Sequence, residues 1–140
     1  MDELKAQGFE SVFLGIGLPN FNSGAGDKNF TESITKARSA TNFYNSKDFL
    51  TEVCHVTKGI EKGAQPPKLN GHVVVLGIGD TAMDCARSAF RLGAERVTLC
   101  FRKGFQDLRA NDEIFEPGRM EGLNFIPYSA PVDFKMDSNG

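Results

Sequence analysis

One junction constrains this chain more than any other part of it. His72-Val73-Val74-Val75-Leu76 runs without a break into Gly77-Ile78-Gly79-Asp80-Thr81-Ala82. A short β-branched apolar run reads as a central parallel strand. Asn70-Gly71 supplies a turn before it. Met83 to Leu92 then has helical spacing, with Ala82, Ala86, Ala89 and Phe90 on one face, and Gly93 closes the helix. Arg96 to Phe101 reads as a second strand. Asp112 to Gly122 reads as an acidic helix interrupted early by Pro117-Gly118, and Leu123 to Pro127 as a third strand. The order β-α-β-α-β predicts an α/β fold with a Rossmann-like parallel sheet, the mononucleotide-binding half of a doubly wound domain.

The loop after the first strand has the residue types a dinucleotide site needs. Gly77 permits the tight turn off the strand. Gly79 lets the backbone approach a pyrophosphate, because a Cβ there would collide with it. Ala82 stands where the third glycine would be and still allows close helix–strand packing. Ile78 completes the loop. Asp80 and Thr81 lie at the helix start, where free N–H groups and the helix dipole attract phosphate. Thr81 can cap the helix or offer a ligand hydroxyl. Asp80 is repulsive to a diphosphate unless it points away, and capping the helix is its alternative role. A plain strand–turn–helix corner is the other reading of the loop.

The end of the second strand decides which nucleotide fits. An NAD site has Asp or Glu there to accept bonds from ribose hydroxyls. This chain has Phe101-Arg102-Lys103-Gly104, with Arg109 downstream. Between Arg96 and Arg109 stand three Arg and one Lys against one Asp. Guanidinium groups bind phosphate in bidentate fashion and Lys adds a point charge. The expectation is a site for the 2′-phosphate of NADP, with a solvated basic loop as the alternative.

Upstream, Leu4 to Gln7 reads as a helix tail ending at Gly8, and 11–17 as a buried strand. Residues 20–46 read as a polar surface excursion, with one weak helical turn at 31–38. Ser46 is expected to cap a helix that runs to about Glu61 and closes at Gly63. Cys54 and His55 fall within its amphipathic pattern and have no ligand partner at metal spacing. At the other end, Val132 to Met136 alternates as a strand does, and 137–140 reads as a hairpin turn. A chain of 140 residues holds about one domain of mass. An orphan first strand and a hairpin cut at its turn give it the look of a piece of something larger.

Composition narrows the class. The net charge is −2, which excludes a polybasic nucleic-acid binder on bulk charge. No apolar run approaches a membrane span, and the N-terminus lacks the pattern of a secretory signal. Cys54, Cys85 and Cys100 never form a CxxC, so neither a disulfide framework nor a zinc site is signalled. A reduced, cytoplasmic setting is expected. Cys85 and Cys100 sit in core-like positions, and Asp84 in the first helical turn suits the dipole. No Ser-His-Asp set, paired carboxylates or metal cluster is visible, so no catalytic residue is assigned.

Several stretches together resemble a known family. They are Phe13-Leu14-Gly15-Ile16-Gly17-Leu18-Pro19, Phe43-Tyr44-Asn45-Ser46-Lys47-Asp48-Phe49-Leu50, Leu76 to Ala82 and Phe101-Arg102-Lys103-Gly104-Phe105. The family is the dihydropyrimidine dehydrogenases, the NADP-dependent enzymes of uracil and thymine breakdown. The resemblance runs nearly the whole chain in order, best over 70–110, while 20–42 is longer than the family pattern. It implies an adrenodoxin-reductase-like fold, truncated here, with 1–19 as the end of an FAD-binding segment and 20–140 as an incomplete NADP-binding domain. It implies that Ile78, Gly79, Asp80 and Thr81 line the NADP diphosphate, and that Arg102, Lys103 and Arg109 hold the 2′-phosphate. It further implies FAD, FMN and 4Fe-4S clusters elsewhere in the same polypeptide, which would be the partners of this segment, and a homodimer at full length. The segment alone would be inactive. The small subunit of NADPH-dependent glutamate synthase is the nearest alternative, sharing the loop Gly77-Ile78-Gly79-Asp80-Thr81-Ala82-Met83-Asp84. Arg102-Lys103-Gly104-Phe105 and Leu108-Arg109-Ala110 favour the pyrimidine enzymes. A non-enzymatic NADP-binding or interaction module is the reading from a different class.

Overall fold

A computed structural model of the chain describes residues 3, 6–11, 13, 40, 42–60, 63, 65–107 and 112–135, with only the backbone at 107 and 112–115. The strand expected at 11–17, the excursion and helical turn within 20–41, Arg109 and the hairpin turn at 137–140 lie wholly or mostly outside these residues.

The elements are helix α1 (Ser46–Thr57), strand β1 (His72–Leu76), helix α2 (Asp80–Arg91), strand β2 (Arg96–Cys100), a 3-10 turn (Phe105–Asp107), helix α3 (Asp112–Met120) and strand β3 (Asn124–Ile126). The three strands form one parallel sheet in the order β1-β2-β3. His72 pairs with Arg96 and Leu76 with Cys100, and Cys100 pairs in turn with Ile126. The expected α/β, Rossmann-like arrangement is therefore present.

Strand alternation sends Val73, Val75, Val97, Leu99 and Phe125 to one face, where the helices lie. Helix α2 packs on β1 and β2 and is flanked by α1 and α3. Met83, Ala86, Ala89, Val97 and Leu99 are completely or almost completely buried at this contact. The alanines have no side chain to hold the helix away from the sheet. Phe90 falls off this face and is exposed, against the expectation that it shares it. Phe49 brings α1 into the same core.

Helix ends differ from the sequence reading in ways local chemistry explains. Asn45, not Ser46, caps α1. Its side-chain oxygen accepts the Asp48 N–H at 3.0 Å, and its amide nitrogen donates back to the Asp48 carboxylate. The same helix closes at Thr57, not Glu61. Lys58 is the C-cap and Gly59, at φ 59°, bends the chain so that Ile60 N–H reaches the His55 carbonyl. This paired closing motif recurs after α2 at Gly93-Ala94 and after α3 at Gly122-Leu123.

Pro117-Gly118 does not interrupt α3, which runs through both residues. A proline removes one donor from the ladder, and a single missing bond is tolerated when packing holds the helix. Gly118 is buried, and a Cβ there would run into the tip of Met83 and come within 3.1 Å of Leu123. Glycine thus lets α3 lie close to α2. The strand expected over Val132–Met136 does not form in its described part, 132–135. Phe134 instead meets Phe43 edge-on, with centroids 5.8 Å apart.

Glu121 ties α3 to α2. Its Oε1 accepts from Arg87 Nε at 3.2 Å, from the Arg87 terminal nitrogen at 2.9 Å and from Arg91 at 2.8 Å. The Arg87 bonds, followed by Arg91, hold the Glu121 carboxyl below its ordinary value, with desolvation opposing them. A lowered carboxylate contributes stability above its unfolded value of about 4.3 and loses it as pH falls through the folded value. Glu121→Gln is expected to cost about 0.5–1 kcal/mol at pH 7 after solvent screening. In urea titrations that gap should shrink below about pH 4. A pH-independent difference would show that packing, not charge, is lost.

Candidate functional site

The carboxyl edge of the sheet gathers most of the residues singled out from the sequence. The loop 77–79 leaves β1 there, and the turn 101–104 leaves β2. Gly77 N–H donates to the Cys100 carbonyl at 2.9 Å, so the two departures are tied together.

The two loop glycines have different causes. Gly77 has φ 120°, a conformation side chains rarely adopt, and its missing Cβ would stand 3.6 Å from the Ala82 Cβ. Gly77 and Ala82 therefore bring the helix onto the turn. Gly79 has φ −77°, which any residue adopts, and among the described residues, its two chain neighbours aside, no atom lies within 4 Å of where its Cβ would be. Neither backbone nor packing requires glycine at this point. Open space in front of Gly79 is what a ligand's approach to the backbone requires.

Gly79 is also the N-cap of α2, and no side chain caps the first turn. Asp80 is the first helical residue and Thr81 the second, so the capping role that stood as one alternative for each is not taken. A polar N-cap side chain would have satisfied an orphan N–H. Without one, the helix start beside Gly79 is left without a side-chain acceptor among the described residues. Asp80 and Thr81 are exposed, while Ile78 turns its side chain onto the core and offers only its backbone.

At the end of β2, Phe101 is buried in the core while Arg102 and Lys103 are exposed. Neither cation has an ion-pair partner among the described residues. The turn is clamped to the end of β3. Phe101 N–H donates to the Ile126 carbonyl at 3.1 Å, Ser129 N–H to the Phe101 carbonyl at 2.9 Å and Tyr128 N–H to the Lys103 carbonyl at 3.3 Å.

The basic cluster counted in the sequence is split by the fold. Arg96 begins β2 at the opposite edge of the sheet, where its guanidinium contacts His72 Nδ1 at 2.9 Å. At roughly 3.3 Å per residue, about 20 Å of chain separate it from Arg102. His72 Nε2 lies 2.7 Å from the Thr98 hydroxyl. Arg96 can only donate, so His72 accepts at Nδ1 and donates from Nε2. No local pattern marks this triplet, because it arises from strand register. Tyr128 was also missed. Its position just past a strand end at the carboxyl edge is the one signal that pointed to it.

Cys85 is buried, and burial, followed by the neighbouring Asp84, pushes its thiol up to about 11. Cys100 is only partly buried, with its thiol 3.7 Å from the Ser129 carbonyl.

The arrangement sets a glycine loop at the start of α2 beside a pair of exposed cations at the end of the next parallel strand. Known proteins agree with an oxidoreductase setting. YgfK of Escherichia coli strain K12, a protein named as an oxidoreductase without a stated substrate, is 35% identical over 138 residues, covering 98% of this chain and 12% of YgfK. AegA of the same strain, named in the same way, is 32% identical over 143 residues, covering the whole chain and 20% of AegA. The small chain of NADPH glutamate synthase from that strain is 28% identical over 143 residues, covering the whole chain and 28% of that protein. No family model matches the chain. The chain is thus homologous to segments of oxidoreductases, one of them NADPH-linked by name, and spans between 12% and 28% of their length.

The two glycines are expected to separate in stability measurements. Gly77→Ala should cost about 1–3 kcal/mol by forcing a side chain into a left-handed backbone. Gly79→Ser should raise stability by a few tenths of a kcal/mol, about the gain from a better N-cap. A large loss at Gly79 in thermal melts would mean that the fold itself needs that glycine.

Proposed function

We propose that the chain is the NADPH-binding segment of a larger flavin oxidoreductase. The observation that carries this reading is Gly79. It is a glycine that the fold does not need, with open space in front of it and uncapped helix amides beside it. The loop 77–82 would take the NADPH diphosphate on its backbone N–H groups. Arg102 and Lys103, with Arg109, would take the 2′-phosphate, which NADH lacks. NADPH supplies a hydride, and in such an enzyme a flavin receives it. The part played by these residues is to bind and orient. Asp80 and Thr81 flank the diphosphate, and Ile78 fixes the loop to the core.

For the whole protein, the sequence stretch Arg102-Lys103-Gly104-Phe105 supports a dihydropyrimidine dehydrogenase. Electrons would then pass from NADPH through FAD and 4Fe-4S clusters to FMN, where uracil or thymine is reduced, with FAD, FMN and the clusters held by other parts of the polypeptide. Similarity to the glutamate synthase small chain supports an electron-input module equally well. Uracil-dependent against glutamine-dependent NADPH oxidation by the full-length protein would decide between them. A cytoplasmic location and a homodimer belong to the same proposal. Among the described residues, no helix is long and apolar enough to cross a membrane.

The chain should bind NADPH more tightly than NADH in calorimetry. Arg102→Asp should weaken NADPH about 10–100-fold, the value of a lost charge-assisted contact, and leave NADH nearly unchanged. Equal affinity of the unaltered chain for both nucleotides would remove the 2′-phosphate assignment. The 140-residue chain alone should turn over neither uracil nor thymine, because no candidate catalytic group is found in it. Detectable turnover would overturn the reading of it as a binding segment.

A further inference from the structure

Tyr128 is the residue whose conformation the fold explains least. It is 68% exposed, yet its backbone has φ 55°, and it is the one described non-glycine residue with a positive φ. Bulky side chains rarely adopt that region, and such outliers persist where surrounding structure holds them for a function. Here the surroundings are specific. Tyr128 N–H is bonded to the Lys103 carbonyl, and the flanking Ser129 N–H to that of Phe101. The ring lies against Gly104, which is buried. A Cβ on Gly104 would overlap the Tyr128 hydroxyl and come within 3.1 Å of its ring edge. The chain thus uses a glycine to seat a tyrosine that buries little of itself.

We propose that the Tyr128 ring is the platform on which the adenine base stacks, and so a specificity residue of the nucleotide site. This rests on the reading of Arg102 and Lys103 as the 2′-phosphate site. The chemistry of the ligand links the two. The 2′-phosphate and the adenine are both carried by one ribose, so a base must lie within a sugar's width of the groups that hold the phosphate. Tyr128 is bonded directly to Lys103 and leaves β3 at the same edge of the sheet. Its ring offers a flat apolar surface on a backbone tied to Lys103, next in the chain to Arg102, and neither cation has an ion-pair partner among the described residues. Base stacking on an aromatic ring typically changes affinity by one to two orders of magnitude. Tyr128 would therefore select a purine nucleotide over a bare phosphate, while Arg102 and Lys103 select for the third phosphate.

The test uses 2′,5′-ADP, which has the base and the 2′-phosphate but no nicotinamide. The chain has two tyrosines and no tryptophan, so tyrosine emission is readable. In Tyr44→Phe, Tyr128 is the remaining emitter. Binding of 2′,5′-ADP to that variant should quench its emission, as a stacked base does. Tyr128→Asn, which tolerates a left-handed backbone, should bind 2′,5′-ADP about tenfold more weakly, and Tyr128→Phe should bind within about twofold of the unaltered chain. Binding to Tyr44→Phe without quenching, or unchanged affinity in a folded Tyr128→Asn, overturns the platform while the nucleotide reading stands. If the folded, unaltered chain binds no 2′,5′-ADP, the platform and the nucleotide reading fall together.

Discussion

The arrangement depends on how closely α2 can lie on the β1–β2 pair. Two parallel strands cannot be joined by a tight turn, so the chain must cross back over the sheet through a helix. That helix meets the sheet through Met83, Ala86 and Ala89, all buried, above the buried Val97 and Leu99. Ala82 lies over the turn at Gly77, where an added Cβ would already be in van der Waals contact with its methyl group at 3.6 Å. Larger residues on this line would lift the helix and open the core. Because the helix is held down, its first turn starts at the carboxyl edge of β1. One packing constraint thus makes the core and sets the start of α2 beside the end of β2.

A second anchor sets the cations. Phe101 is buried, so the next two residues must leave the core, and they are Arg102 and Lys103. Backbone bonds with the end of β3, at Phe101 and at Lys103, then fix the turn on both sides of Arg102. The position of the charge is decided by an apolar neighbour and three backbone bonds. Neither cation is held by an opposing carboxylate among the described residues. Phe105 extends the anchor, meeting Phe101 and Phe125 edge-on at 5.6 and 6.2 Å.

Sheet, crossover helix and glycine loop were legible in the sequence because their signals are local. A β-branched run, two glycines and an alanine stripe name a strand, a turn and a helix without reference to anything distant. The errors came from contacts that local patterns do not encode. Asn45 displaced Ser46 as the cap because Asp48 reaches back to it. Gly59 closed α1 before Gly63 could. Pro117 stayed helical because Gly118 lets α3 seat against Met83 and Leu123. Val132 to Lys135 alternates like a strand, but Phe134 found Phe43 instead of a sheet edge. Arg96 and Arg102 are near in sequence and far apart in space, because an extended strand separates them. Tyr128 matters through its backbone angle and its seat on Gly104, and both arise only when β2 and β3 pair.

Asp80 is the residue that fits least easily with an anion at this edge, and magnitudes decide the matter. A carboxylate in the first turn of a helix contributes about 0.3–1 kcal/mol through the dipole. Each hydrogen bond from a backbone amide to a charged oxygen contributes about 1.5–3 kcal/mol. A diphosphate that met two such amides would outweigh the dipole term several-fold. Repulsion between it and Asp80 is weakened because Asp80 is exposed and makes no capping bond that would hold its carboxylate over the amides. High solvent dielectric reduces a like-charge contact at 4 Å to about 1 kcal/mol. The helix would keep its dipole partner in the free state and release it when phosphate arrived. On these terms Asp80 competes with the ligand only weakly, and it supports the fold whenever the ligand is absent.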